Sequence, residues 1–227
     1  MMPSPEPPGA PVAGHARRVL IAGASGLVGR ELLRAALDDQ AVAVVHALGR
    51  RTLPLRHPKL VQHEVDFAAL PSLPPVDEAF IALGTTIKAA GGQAAFRMVD
   101  FDAVIGVARA AKAAGATRLG MVSAMGADAA SRVFYSRVKG EAEAALAALG
   151  FDTLVIARPS LLVGDRPALG QPARAGEVAG LKVARWLGPL IPANYRPITA
   201  AAVARSLLRA VQQTHGRRLL LSGEMQP

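Results

Sequence analysis

Only two tyrosines occur in the 227 residues, and one of them stands four places before a lysine, in Tyr135-Ser-Arg-Val-Lys139. On a helix that spacing puts the phenol and the ammonium on one face. An ammonium beside a phenol favours the phenolate, which makes a tyrosine usable as a proton donor and acceptor. Ser123, a little earlier in the chain, is a hydroxyl that can hydrogen-bond a substrate oxygen. A second group lies near the N-terminus, Gly23-Ala-Ser25-Gly26-Leu27-Val28-Gly29. Small residues at this spacing let the backbone turn tightly and approach a pyrophosphate, and they let a helix pack close behind a strand. Neither pattern is specific alone. Both gain meaning from the elements that hold them.

Those elements alternate. Apolar runs predict strands over Arg18–Ala22, Ala41–Leu48, Leu60–Val65, Glu78–Leu83, Leu119–Ser123 and Thr153–Ala157. Helical spacing predicts helices over Arg30–Leu37, Phe96–Ala114 and Ser136–Leu149, with Gly115 and Gly150 as their C-terminal stops. Near-continuous apolar strands separated by helices predict a doubly wound α/β domain, a parallel sheet covered on both faces. Beyond Pro159 the pattern loosens. Ala173–Leu187 and Ala200–Gln213 read as helices and Arg217–Leu221 as a last strand. This predicts a single domain over 17–227, with elements of a small C-terminal cap over the substrate in about 160–215. Residues 1–16 are Pro-rich and read as a flexible tail.

In this arrangement the glycine turn joins the first strand to the first helix, as dinucleotide binding requires. The helix N-terminus then offers free N–H groups and a positive dipole end to phosphates. NAD sites of this type carry an Asp or Glu after the second strand, about 20 residues on, for the ribose hydroxyls. This chain has Gly49-Arg50-Arg51 there and no carboxylate. Arginines at that place pair with a 2′-phosphate, so NADP is expected over NAD. Asp66 and Phe67, after the third strand, would lie near the adenine, and Gly84 and Thr85, after the fourth, would line the middle of the cofactor.

Composition narrows the partners. The formal charge is +9 with a pI of about 10.9, yet Arg and Lys are scattered in pairs at most, and aromatics are 4%. That distribution argues against a nucleic-acid surface. No run reaches the roughly 18 apolar residues of a membrane span. Cysteine is absent, which excludes disulfides and thiolate sites and fits the cytoplasm. His15, His46, His57, His63 and His215 lack metal-ligand spacing, so no metal is expected.

Taken in order, Gly23–Gly29, Gly49-Arg-Arg51, Leu83-Gly-Thr-Thr86, Val122-Ser-Ala-Met-Gly-Ala-Asp128, Tyr135-x-x-x-Lys139 and Ala157-Arg-Pro-Ser-Leu-Leu-Val-Gly-Asp-Arg166 resemble the atypical, extended-like short-chain dehydrogenase/reductase superfamily, in the branch related to Tat-interacting protein 2. The resemblance covers roughly Arg17 to Arg166. It implies a Rossmann fold, NADP binding and a Ser123/Tyr135/Lys139 active site. Tyr135 would exchange a proton with a carbonyl or alcohol of a small-molecule substrate. Lys139 would hold the nicotinamide ribose, and Pro159 would border the nicotinamide. A homodimer would also suit it. Two departures stand out. Relatives often carry two adjacent hydroxyl residues where this chain has Ser123-Ala124, and many place an Asn where this chain has Asp100. The chain therefore also admits an NADP(H)-binding sensor or scaffold with little turnover.

Overall fold

The computed structural model describes residues 16–163 and 192–226. The tail 1–15, Asp165, Arg166 and the expected helix Ala173–Leu187 lie outside the described residues. Seven strands form one sheet in the order β3-β2-β1-β4-β5-β6-β9, and every neighbouring pair is parallel. They are β1 (Arg17–Ala22), β2 (Val42–Gly49), β3 (Leu60–Glu64), β4 (Glu78–Ile81), β5 (Arg118–Val122), β6 (Thr153–Arg158) and β9 (Gly216–Leu221). Leu162–Val163 (β7) and Ile198–Thr199 (β8) make a separate parallel pair. The strand order reverses between β1 and β4. In doubly wound sheets, ligands bind in the crevice outside the strand C-termini at that reversal.

Both faces of the sheet are covered, as the continuous apolar strands require. One face carries α1 (Leu27–Asp38) and α6 (Ala200–Gln213). Leu32, Leu33 and Leu37 of α1 and Val203, Leu207 and Val211 of α6 are buried there against Val19, Ile21 and Phe80. Burying each such side chain contributes roughly 1.5–3 kcal/mol. The other face carries α4 (Val104–Ala113) and α5 (Phe134–Ala148), packed on Leu20, Ile81, Met121 and Ile156. The helix Ala200–Gln213 is thus a layer of the core, folded against the sheet. Its apolar positions recur at i, i+4 and i+8, which fits a helix lying flat on a sheet.

The expected helix Phe96–Ala114 is not continuous. A short α2 (Ile87–Ala90) and α3 (Gln93–Arg97) come first. A π-helical stretch over Met98–Ala103 then leads into α4. The wider turn points Asp100 inward, where it is completely buried. Such stretches are rare and gather at functional sites.

At the opposite end of the sheet, buried Glu78 accepts from Arg17 and from Gln212. That cluster ties β1 and β4 to α6, away from the strand C-termini. On the α4 face, His46 Nδ1 stands 3.0 Å from His63 Nε2. Burial, with His63 and Arg18 near it, pushes the His46 imidazole below its ordinary range.

Candidate active site

The glycine turn is built as its spacing requires. Gly23 has φ of +91°, and a Cβ there would lie 2.6 Å from the Ala82 carbonyl oxygen of the neighbouring β4 loop. A Cβ on Gly29 would lie 2.0 Å from the Gly23 oxygen. Gly26 is the N-cap of α1, and among the described residues no side chain hydrogen-bonds into that helix end. The first N–H groups of α1 therefore face the crevice without a capping side chain. Ser25 is exposed beside them, and Leu27 and Val28 begin the helix. A tight glycine turn at a positive helix end fits a pyrophosphate.

Arg50 and Arg51 follow β2 at the same edge. Both are exposed, and neither has an ion-pair or side-chain hydrogen-bond partner among the described residues. Asp66 is exposed and caps a turn by accepting from the Ala68 N–H at 2.9 Å. Phe67 is half-buried and packs on the α4 side of the core, so its ring contributes packing more than an open stacking face.

Tyr135 and Lys139 both lie on α5, which starts two residues before the expected Ser136. Segment 96–100 runs alongside them. The Phe96 ring is fully buried and stands 5.4 Å from the Tyr135 ring. Four residues on, Asp100 Oδ1 stands 2.7 Å from Lys139 Nζ. The Lys139 side chain is 5% exposed and Asp100 is not exposed at all. The second oxygen, Oδ2, accepts from the Thr85 N–H at 2.9 Å. Gly84 faces the pair, since a Cβ there would stand 3.4 Å from Oδ1 and 3.6 Å from Nζ. One carboxylate thus links the β4 loop, the π-helical stretch and α5. Gly140 lets α5 sit this deep, because a Cβ there would strike the Asp128–Ala129 backbone at 2.1–2.2 Å.

Ser123 is engaged within the protein in this arrangement. It is buried, and its hydroxyl donates to Glu143 Oε1. Glu143, also buried, accepts Nε and Nη2 of Arg158 at 3.0 and 2.7 Å. That bidentate bond holds the Arg158 guanidinium above its ordinary range. A hydroxyl has one proton, and here Glu143 takes it, so a substrate oxygen could receive it only by breaking that bond. Ala124 offers no replacement. Accordingly, Ser123→Ala is expected to cost about 1.5–3 kcal/mol of stability, the scale of a hydrogen bond to a charged group, and to leave turnover near the parent value. Thermal unfolding and steady-state kinetics check both. Pro159, after β6, is buried, and its carbonyl accepts from the Met125 N–H.

Glu143, Arg158, Gly140 and the Lys139 partnership of Asp100 were not assigned from the sequence. The signal was faint. Glu143 lies four residues after Lys139 on the same helix face, but its partners come from β5 and β6. Among the described residues, no group of three or more His, Asp or Glu comes together to hold a metal, and no helix is long and apolar enough to cross a membrane.

Comparison with known proteins gives concordant results. The model of a family described as NAD(P)H-binding matches residues 23–187. Protein HTATIP2 of Rattus norvegicus is 34% identical over 215 residues, covering 92% of this chain and 87% of that protein. The mitochondrial protein FMP52 of Eremothecium gossypii is 40% identical over 152 residues, covering 65% of this chain and 67% of its own. Among solved structures, MoeE5 in complex with UDP-glucose and NAD superposes with a TM-score of 0.67 at 17% identity, covering 89% of this chain and 75% of that one. A short chain dehydrogenase family protein from Francisella tularensis gives 0.62 at 11% identity, covering 92% and 98%. At such identities the solved structures speak for the fold alone.

Proposed function

The chain belongs to the NAD(P)H-binding family, within the atypical short-chain dehydrogenase/reductase proteins, and from that premise we propose that it is an NADP(H)-dependent oxidoreductase acting on a carbonyl or alcohol of a small molecule. One observation carries the reading. Gly23 packs on the β4 loop at Ala82, and two residues further along the same loop Gly84 and Thr85 face Asp100, which pairs with Lys139 of α5.

The residues present fit the cofactor. Gly23, Ser25, Gly26, Leu27, Val28 and Gly29 would hold the pyrophosphate by backbone N–H groups and the helix dipole. Arg50 and Arg51 would take the 2′-phosphate, Asp66 and Phe67 would lie on the adenine side, and Gly84 and Thr85 would line the middle. When bound, the nicotinamide supplies or accepts the hydride. In reduction, Tyr135 would give its phenolic proton to the substrate oxygen, and in oxidation it would take that proton back. Lys139, on the same face of α5 as Tyr135, would hold the nicotinamide ribose. Pro159 would border the nicotinamide.

Replacing Arg50 and Arg51 together with Ala should weaken NADPH binding by roughly tenfold to a hundredfold, the scale of one lost charge-assisted contact. NADH binding should not change. Equal affinity of the parent for the two cofactors would defeat the 2′-phosphate assignment.

A second reading is an NADP(H)-binding sensor with little turnover. The commitment of the Ser123 proton to Glu143 favours it. A parent protein that binds NADPH tightly, and oxidises it at the same rate with carbonyl compounds as without them, would support the sensor.

A further inference from the structure

We infer that the seam between α1 and α6, at the N-terminal end of the sheet, is a second small-molecule site, one that takes a compact carboxylate with an apolar ring or branched chain. A cavity of about 170 Å³ lies there. Arg17 begins β1, Val42 begins β2 and Asp39 follows the last residue of α1. The cavity is therefore at the opposite end of the sheet from the glycine turn. None of its lining residues belongs to the proposed cofactor or proton-transfer site, so the inference stands apart from that reading.

The cavity is apolar inside. Val19 and Val42 from the strands and Ala36 from α1 are buried around it, and Ala35 and Leu208 complete the apolar lining. Two successive alanines on α1 leave space that longer side chains would fill. An apolar cavity of about 150 Å³ is large enough for a benzene ring, so this one suits a single ring or a short branched chain. Water is a poor occupant, because each molecule needs two to four polar partners.

The polar groups of the lining are engaged with neighbours, with one exception. Asp39 accepts from Arg17 Nη2 and from the Ala41 N–H. Arg17 Nη1 donates to buried Glu78. Gln212 Nε2 donates to Glu78 at 2.7 Å, and Gln212 Oε1 accepts from Arg118 Nη1 at 3.0 Å. Arg209 lies one turn before Gln212 and is exposed at the cavity. It has no ion-pair or hydrogen-bond partner among the described residues. An apolar hollow with one unengaged guanidinium calls for an apolar body carrying one anionic end. A carboxylate meets a guanidinium by two parallel N–H bonds. Apolar walls with few polar groups to fix orientation are the usual form of a small-molecule pocket.

Benzoate, acetate and benzyl alcohol separate the parts of this chemistry: ring with charge, charge alone and ring alone. Each is titrated into the whole chain carrying 13C-labelled Val and Leu methyl groups, and binding is read from the methyl shifts. Benzoate should saturate, with the shifts centred on Val19, Val42 and Leu208. Acetate and benzyl alcohol should bind at least about tenfold more weakly. Arg209→Gln, a change on the exposed side of α6, should weaken benzoate about tenfold, the scale of one lost charge-assisted contact. Ala35→Leu should fill the cavity and abolish the shifts at a melting temperature no lower than the parent's; if it does not fold, Arg209→Gln carries the test. Benzoate that fails to saturate, or that shifts other methyl groups and leaves these three unmoved, overturns the inference. Acetate binding as well as benzoate reduces the site to a surface anion contact, and benzyl alcohol binding as well as benzoate removes the carboxylate; either result overturns it. Unchanged benzoate affinity in Arg209→Gln overturns it too.

Discussion

Tyr135→Phe is expected to lower turnover by about 10²–10⁴-fold, the range spanned by a positioned general acid. The substitution removes one oxygen and keeps the ring that packs against Phe96, so the fold and the face of α5 should be preserved. NADPH affinity should stay close to that of the parent, because no pyrophosphate or ribose contact is assigned to the phenol. A fall in kcat at constant NADPH affinity and constant melting temperature is the signature of a group used only in the chemical step. A variant that bound NADPH normally and kept full turnover would remove Tyr135 from the mechanism. The exposed Tyr195 supplies the control, since Tyr195→Phe changes the other tyrosine at a position given no part in the proton transfer.

Gly29→Ala should be the most damaging single methyl in the cofactor half. Inside an ordinary helix, Gly→Ala stabilises by about 1 kcal/mol. Here the new Cβ would lie 2.0 Å from the Gly23 oxygen and 2.6 Å from its carbonyl carbon, far inside contact. Both partners are backbone, so no side chain can swing away. Either α1 withdraws from the turn or the turn opens, and both movements spoil the cradle. Overpacking of this kind costs typically 1–3 kcal/mol of stability. Losing the preorganised N–H groups should cost about 3 kcal/mol of binding, roughly a hundredfold in NADPH affinity. Gly26→Ala is the informative companion. Its Cβ would meet no atom of the described residues nearer than the Gly23 oxygen at 3.4 Å, so stability should hold, and any loss of affinity reports an approaching ligand.

The contrast between these two glycines bears on what a sequence makes legible. The strand–glycine–helix order at the N-terminus could be read directly, because each part has a local cause: a continuous apolar run, a tight turn and a 3.6-residue period. The parallel sheet followed from the same alternation. What escaped was non-local or broke its own period. Residues 98–103 carry enough apolar positions to pass as continuous α-helix, yet they form a π-helical stretch that buries Asp100. Ser123 stands where a catalytic hydroxyl belongs in order along the chain, and its hydroxyl donates a hydrogen bond to Glu143. That partner is twenty residues away in sequence and is recruited by Arg158 from another strand. Ala200–Gln213 was legible as a helix. Its burial against α1 was not, because an amphipathic pattern states that a face is covered without stating by what.

The central claim is that the Gly23–Gly29 turn holds a nicotinamide dinucleotide. Equilibrium titration of the whole chain with NADPH, followed by nicotinamide fluorescence, tests it most directly. The account predicts one saturable site per chain, weakened roughly a hundredfold by Gly29→Ala. No saturable binding to the parent, or binding that Gly29→Ala leaves intact, would contradict it.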